Sequence, residues 1–137
     1  MTRNTKQRKA IRDAFEQANR PLSAEEVLSA AQAQTAGLGI ATVYRTIKSL
    51  AEEGWLVPVE LPGEAPRYEL AGKEHHHHFH CRECGKVYEI EGCLENLKRM
   101  IPPGYLITGH EVVLYGLCST CAQSRKRSTS RIAYTEQ

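Results

Sequence analysis

A chain of 137 residues with a formal net charge of +2 has room for one ordinary domain or two very small ones. No apolar run approaches the roughly 18 residues of a membrane span, and the opening MTRNTKQRKA has no apolar signal core, which excludes membrane and secreted classes and leaves a soluble cytoplasmic protein as the expectation. The charge is unevenly placed: residues 1–20 carry six Lys/Arg against two acids, residues 122–137 four against one, and the middle eight against thirteen. Basic ends suit phosphate, or are merely solvated tails, while an acidic, histidine-rich middle suits cations.

Residues 6–18 place Ile11, Ala14, Phe15 and Ala18 at helical spacing, and the Arg20-Pro21 step ends that helix. Ser23 then caps a second helix, Glu26 three residues later completes a capping box, and Leu22 with Val27 fits a hydrophobic staple. After the Gly37-Leu38-Gly39 turn, a third helix over 40–51 sets Ile40, Val43, Ile47 and Leu50 on one face, and Thr42, Tyr44, Arg45 and Lys48 off it. VPVEL and RYEL around Pro62-Gly63-Glu64-Ala65-Pro66 are strand candidates. Three helices followed by a hairpin is the order of a winged helix-turn-helix domain, residues 1–71, whose third helix enters the major groove.

Residues 72–74 form a hinge. Beyond it, 75–80 and 86–91 are expected as strands, 93–101 as a short helix stopped by Pro102-Pro103-Gly104, and 105–117 as a broken pair or one strand bent at Gly109. The fold class is α+β, with a small α/β unit over 75–121 that needs a staple beyond its apolar core. Residues 122–137, a basic tail with little to bury, are expected to be disordered.

That staple is at hand in two Cys-x-x-Cys pairs, Cys81/Cys84 and Cys118/Cys121, separated by residues 85–117. Two intervening residues let one tight knuckle supply two thiolates to a tetrahedral Zn²⁺, and the glycine after Cys84 suits that knuckle. The competing reading, a redox dithiol pair, lacks the expected strand–helix setting. Just upstream runs His75-His76-His77-His78-Phe79-His80. On a strand, side chains alternate, so His76, His78 and His80 face one way and His75 and His77 the other, and one strand can feed two metal sites with partners from Glu69, Glu89, Glu91, Glu95 and His110. A solvated histidine-rich loop is the plainer alternative.

The sequence GIATVYRTIKSLAEEGW, together with PLSAEEV, HHHHFHCRECGKVYEI and GHEVVLYGLCSTC, resembles the ferric uptake regulator family of bacterial metalloregulators, with its zinc-uptake and peroxide-sensing branches, from about Thr5 to Cys121. The resemblance implies a homodimer built on the second unit, repressing genes by binding an inverted-repeat DNA operator when its sensing metal is bound. It places the sensing metal on Glu69, His76, His78 and Glu89, a second metal site on His75, His77, Glu95 and His110, and structural zinc on Cys81, Cys84, Cys118 and Cys121. It maps base contact onto Tyr44, phosphate contact onto Arg45 and a minor-groove contact onto Arg3, while Thr42 and Lys48, off the apolar face of the same helix, are further DNA-binding candidates. Three departures stand out. Pro21 occupies the place of a histidine ligand common in relatives, Asn96 falls where the second site's glutamate is usual, so that Glu95 is assigned by a one-residue shift, and the N-terminus is short.

A metal held by Glu69 from the wing and histidines beyond the hinge would fix the two DNA-binding units at operator spacing, with Zn²⁺ or Fe²⁺ equally suited, Mn²⁺ or peroxide sensing through iron behind, and no small-molecule substrate or membrane partner. His80 and Cys93 are further candidate ligands, although an inert buried thiol is the commoner fate of a residue such as Cys93. A metal-dependent hydrolase using His76, His78 and Glu89, and a zinc-storage protein, are the readings from other classes.

Overall fold

The computed structural model describes residues 3–93 and 97–128. Helix α1 (Arg3–Ala18) buries Ala10, Ile11, Ala14 and Phe15 and leaves Ala18 exposed. It stops at Asn19, whose φ of 49° is left-handed and whose N–H returns 3.0 Å to the Phe15 carbonyl, one residue ahead of the expected Arg20-Pro21 break. Helix α2 (Ala24–Gln32) opens with the capping box as the sequence specifies: Glu26 N–H donates to Ser23 Oγ at 3.2 Å and Ser23 N–H to Glu26 Oε1 at 2.9 Å. Helix α3 (Ile40–Glu52) turns Val43, Ile47 and Leu50 inward; Ile40, expected on that face, is 37% exposed because it starts the helix.

Strands β1 (Leu56–Val59) and β2 (Arg67–Leu70) pair antiparallel to form the wing, and paired backbone bonds between Leu22 and Tyr68 tie it to the entry of α2. Ala10, Ile11, Phe15, Val27, Val43, Leu50 and Leu56 belong to one core among α1, α2, α3 and β1.

The second unit holds β3 (His77–Cys81), β4 (Val87–Ile90), the short α4 (Leu97–Met100), β5 (Val113–Gly116) and α5 (Ser119–Ser128). Its sheet has the order β4-β3-β5, with β3 antiparallel to β4 and parallel to β5. The long strand or strand pair expected over 105–117 contracts to β5. Its exposed first part includes Tyr105 and Leu106, which nothing among the described residues buries. The expected tail is helical as far as Ser128. Beyond residue 70, Cys81 and Val87 are the only apolar side chains in the buried set of the described residues, so this unit does lack a sizeable core.

The two units meet where Val59 and Leu61 pack with Val87 and Val113. Arg20 reaches across, donating to the Val87 carbonyl at 3.4 Å with its guanidinium over the Tyr88 ring. Among the described residues no helix is long and apolar enough to cross a membrane.

Candidate metal centres

Among the described residues, three groups of ligand atoms converge around β3, each with all its atoms within 4.8 Å of one another: the four paired cysteines; Glu69, His76 and His78; and His75, His77, Cys93 and His110.

Cys81 ends β3 with no exposure, Cys84 lies on the knuckle, Cys118 follows β5, and Cys121 stands on α5. Gly85 makes the knuckle possible: its φ of 77° is left-handed, and its N–H donates 3.0 Å to the Cys81 carbonyl. Burial works against a thiolate at Cys81, but backbone N–H groups from Cys118, Cys84 and Glu83 outweigh it and bring this thiol down to about 6. Burial and the neighbouring sulfurs push Cys121 up to about 12. The Cys118 thiol is lowered as well, chiefly by the Cys121 backbone N–H, so the group is prepared for a cation that would offset the repulsion felt at Cys121. All five cysteines are free thiols. Cys84 and Cys118 sulfurs stand 4.0 Å apart, close to the ~3.8 Å edge of a tetrahedron of zinc thiolates. The donor set fits zinc.

Glu69, on β2 and 5% exposed, is the acid of the second group. Its carboxylate lies 2.9 Å from His76 Nε2 and 3.1 Å from His78 Nε2. His76 Nδ1–H donates to the Glu74 carbonyl at 2.7 Å, which orients the ring with Nε2 inward. Burial raises the Glu69 pKa, but hydrogen bonds and charge from His78 and His76 leave it below the ordinary carboxylate value. Burial opposes a charged His76, yet the Glu74 carbonyl and the Glu69 and Glu89 carboxylates raise it above the ordinary imidazole value. Glu89, expected here, pairs opposite His78 across β3 and β4, but its carboxylate is held by the Lys73 ammonium and stays outside the group.

The third group takes the odd histidines. His75 Nε2 is 3.1 Å from His77 Nε2 and 3.2 Å from His110 Nε2, and Cys93 Sγ is 2.8 Å from His110, 3.4 Å from His77 and 3.7 Å from His75. Cys93 is exposed, correcting the expectation of an inert buried thiol. Glu95, the carboxylate expected at this position, lies outside the described residues. Burial and the charges of His75 and His110 lower the His77 pKa, and Val112 N–H donates to His77 Nδ1 at 3.2 Å. In the neutral ring that bond leaves the proton on Nε2, so coordination through Nε2 would move it to Nδ1 and break the Val112 contact. A cleft of about 350 Å³, bounded by Glu69, His75, His76, His77, His78 and His110, opens onto both histidine groups.

His80, a further candidate ligand, joins none of the three. It is 9% exposed, with Nδ1 3.2 Å from Glu64 Oε2 on the wing loop but without hydrogen-bond geometry. Its ring thus faces the wing loop rather than either histidine group.

On α3, Tyr44 is 54% exposed and its hydroxyl donates to Glu25 at 3.3 Å, whose charge raises the phenol's pKa and keeps it protonated. Arg45 donates to Thr42 Oγ1 at 3.2 Å, Lys48 is exposed beside them, and Arg3 begins α1.

A family model described as the ferric uptake regulator family matches residues 1–115. The chain belongs to the ferric uptake regulator family. Members are metal-responsive transcription regulators rather than enzymes. The chain is 33% identical over 119 residues to the ferric uptake regulation protein of Bordetella parapertussis, covering 84% of this chain and 86% of that one. It is 38% identical over 93 residues to that of Campylobacter jejuni, covering 66% of this chain but spanning only 59% of the relative's length. Among solved structures, a zinc-bound manganese uptake regulator superposes with a TM-score of 0.73 at 29% identity, covering 82% of this chain and 87% of that one. The Helicobacter pylori ferric uptake regulator, described as having three functional metal-binding sites, superposes at 0.63 with 28% identity, covering 85% and 80%.

One feature of this Fur-family member, the pairing of Lys73, escaped the sequence reading, and another, Cys93, was a candidate ligand without assigned partners. Lys73 gave no signal, since a hinge lysine reads as a solvated charge. Cys93 did give one, as the thiol outside both Cys-x-x-Cys pairs, but its partners are up to 18 residues away in sequence.

Proposed function

We propose that this regulator is a homodimeric, metal-dependent repressor that binds an inverted-repeat DNA operator when Glu69, His76 and His78 hold a divalent ion, Zn²⁺ or Fe²⁺ before Mn²⁺. The observation that carries the reading is the position of Glu69. It belongs to the wing, whereas His76 and His78 lie beyond the hinge, so an ion shared by the three links the DNA-binding unit to the rest of the chain. Carboxylate and imidazole donors suit such ions, which supply the positive charge that lets three electron-rich groups share one point. The ion shifts the equilibrium only by its preference for the closed arrangement; ~100-fold in DNA affinity corresponds to roughly 2.7 kcal/mol of coupling.

Tyr44, Arg45, Lys48 and Thr42 serve as the DNA face, with Arg3 at the start of α1 as a further DNA contact. The exposed Tyr105, Leu106, Leu114 and Tyr115 on or before edge strand β5 support a second copy as the partner for that side. The Cys₄ group serves as structural zinc, compensating for the small core of the second unit. The test is operator binding by chain carrying only structural zinc, titrated separately with Zn²⁺, Mn²⁺ and anaerobic Fe²⁺. Binding should rise by about two orders of magnitude with the effective metal; equal binding with every ion and with none would remove the proposal.

A further inference from the structure

We propose that Cys93 completes a closed three-imidazole, one-thiolate site with His75, His77 and His110, and that this thiolate makes the site select zinc over manganese and iron(II). The inference shares with the proposed function only the premise that the histidine run binds metal.

The separations match a tetrahedral ion. For metal–nitrogen and metal–sulfur bonds of ordinary zinc length, a tetrahedron has nitrogen–nitrogen edges of ~3.3 Å and nitrogen–sulfur edges of ~3.5 Å. The structure gives 3.1 and 3.2 Å for the two nitrogen pairs on His75, and 3.4 and 3.7 Å from Cys93 to His77 and His75. The Cys93–His110 edge, at 2.8 Å, is compressed, as a hydrogen bond would be. Four donors so placed leave no vacant position for water or substrate, which is the arrangement of a site that holds an ion rather than reacting on it.

The donor types then decide the ion. Glu69 gives the neighbouring group an oxygen, whereas among the described residues the third group has none. Manganese and magnesium favour carboxylate and water, and iron(II) tolerates them; imidazole with thiolate favours zinc. Two sites on opposite sides of one strand would therefore differ in selectivity although both draw on the same histidine run. The odd side would fill with zinc first, leaving the even side as the one able to respond to a second ion.

The sulfur makes this measurable apart from DNA binding. Full-length protein carrying structural zinc is titrated with Co²⁺, whose thiolate bond gives a near-ultraviolet charge-transfer band, and with Zn²⁺ and Mn²⁺ against a chelator. The wild-type chain should develop a new thiolate band as this site fills. Cys93→Ser should lose that band and bind the zinc ion at least about tenfold more weakly, since loss of a direct ligand should cost no less than loss of a supporting hydrogen bond. Cys93→Asp should keep an ion without the band, and its zinc-to-manganese preference should fall by about tenfold. Retained structural zinc and an unchanged helical signal show that each variant folds. An undiminished band in Cys93→Ser, or an unchanged metal preference in Cys93→Asp, would overturn the assignment. Loss of metal-activated DNA binding with these signatures intact would instead count against the proposed function alone.

Discussion

Lys73, in the segment joining the two units, donates its ammonium to the carboxylate of Glu89 on β4. Both side chains are largely withdrawn from solvent, and Glu89 stands directly opposite His78 in the sheet. The lysine therefore holds in place an acid that the Glu69 group could otherwise use, so a metal recruiting Glu89 must first break the pair. Lys73→Ala should tighten metal binding at Glu69, His76 and His78 by about two- to fivefold, the equivalent of a weak, partly screened ion pair. Chelator competition measures it; an unchanged affinity would mean that Glu89 is never a ligand.

The Glu69–His76 pair makes metal-free stability depend on pH in a definite direction. The folded carboxyl is lowered from 4.5, so its contribution is present above 4.5 and lost as pH falls through the lowered value. The folded imidazole is raised from 6.5, so its contribution is present below 6.5 and lost as pH rises through the raised value. The pair should stabilise the metal-free chain most between those ordinary values, and Glu69→Gln should flatten the profile there. Thermal melts of both proteins across that window are the measurement; parallel profiles would show that the pair is immaterial. Metal binding should run the other way, weakening in acid as His76 takes a proton.

Cys81 receives N–H groups from both Cys84 and Cys118 and is fully buried. Cys81→Ser should release the structural ion and unfold the second unit, at a cost of several kcal/mol. The winged-helix unit should survive on its own core. Hydrogen exchange should show protection lost in β3, β4 and β5 and kept in α1 and α3; uniform loss would mean that the two units fold as one.

On the proposed DNA face, Arg45→Ala or Lys48→Ala should each lower the salt dependence of binding by about one counterion and weaken operator and random DNA alike. Tyr44→Ala should leave the salt slope unchanged and reduce the preference for operator over random DNA. A Tyr44 variant that changes only the slope would make the tyrosine a backbone contact.

The legible parts of this molecule are those governed by short-range rules. The Ser23–Glu26 box, the inward face of α3 and the knuckle at Gly85 follow from local spacing, and strand alternation divides the histidines into two groups even though His75 and His76 precede β3. Competition between distant groups lies beyond such rules. Glu89 has the right place and the wrong partner, because Lys73 satisfies it. Cys93 reaches the odd histidines although its identity suggests burial. The segment before β5 lacks strand pairing because alternation alone supplies no neighbour to pair with, and α5 continues past Cys121 where composition suggests only a tail.

Four identical side chains in a row have one more consequence. A slip of β3 by one position would exchange the two sides of the strand, yet imidazoles would still point both ways, so the run cannot distinguish the correct alignment from its neighbour. That choice falls to the C-terminal half of the strand: Phe79 opposite Tyr88, His80 opposite Val87, and Cys81 fully enclosed. The residues that fix which histidine serves which ion are thus the hydrophobic and sulfur-bearing ones downstream, and errors in alignment should arise from changes there rather than within the run.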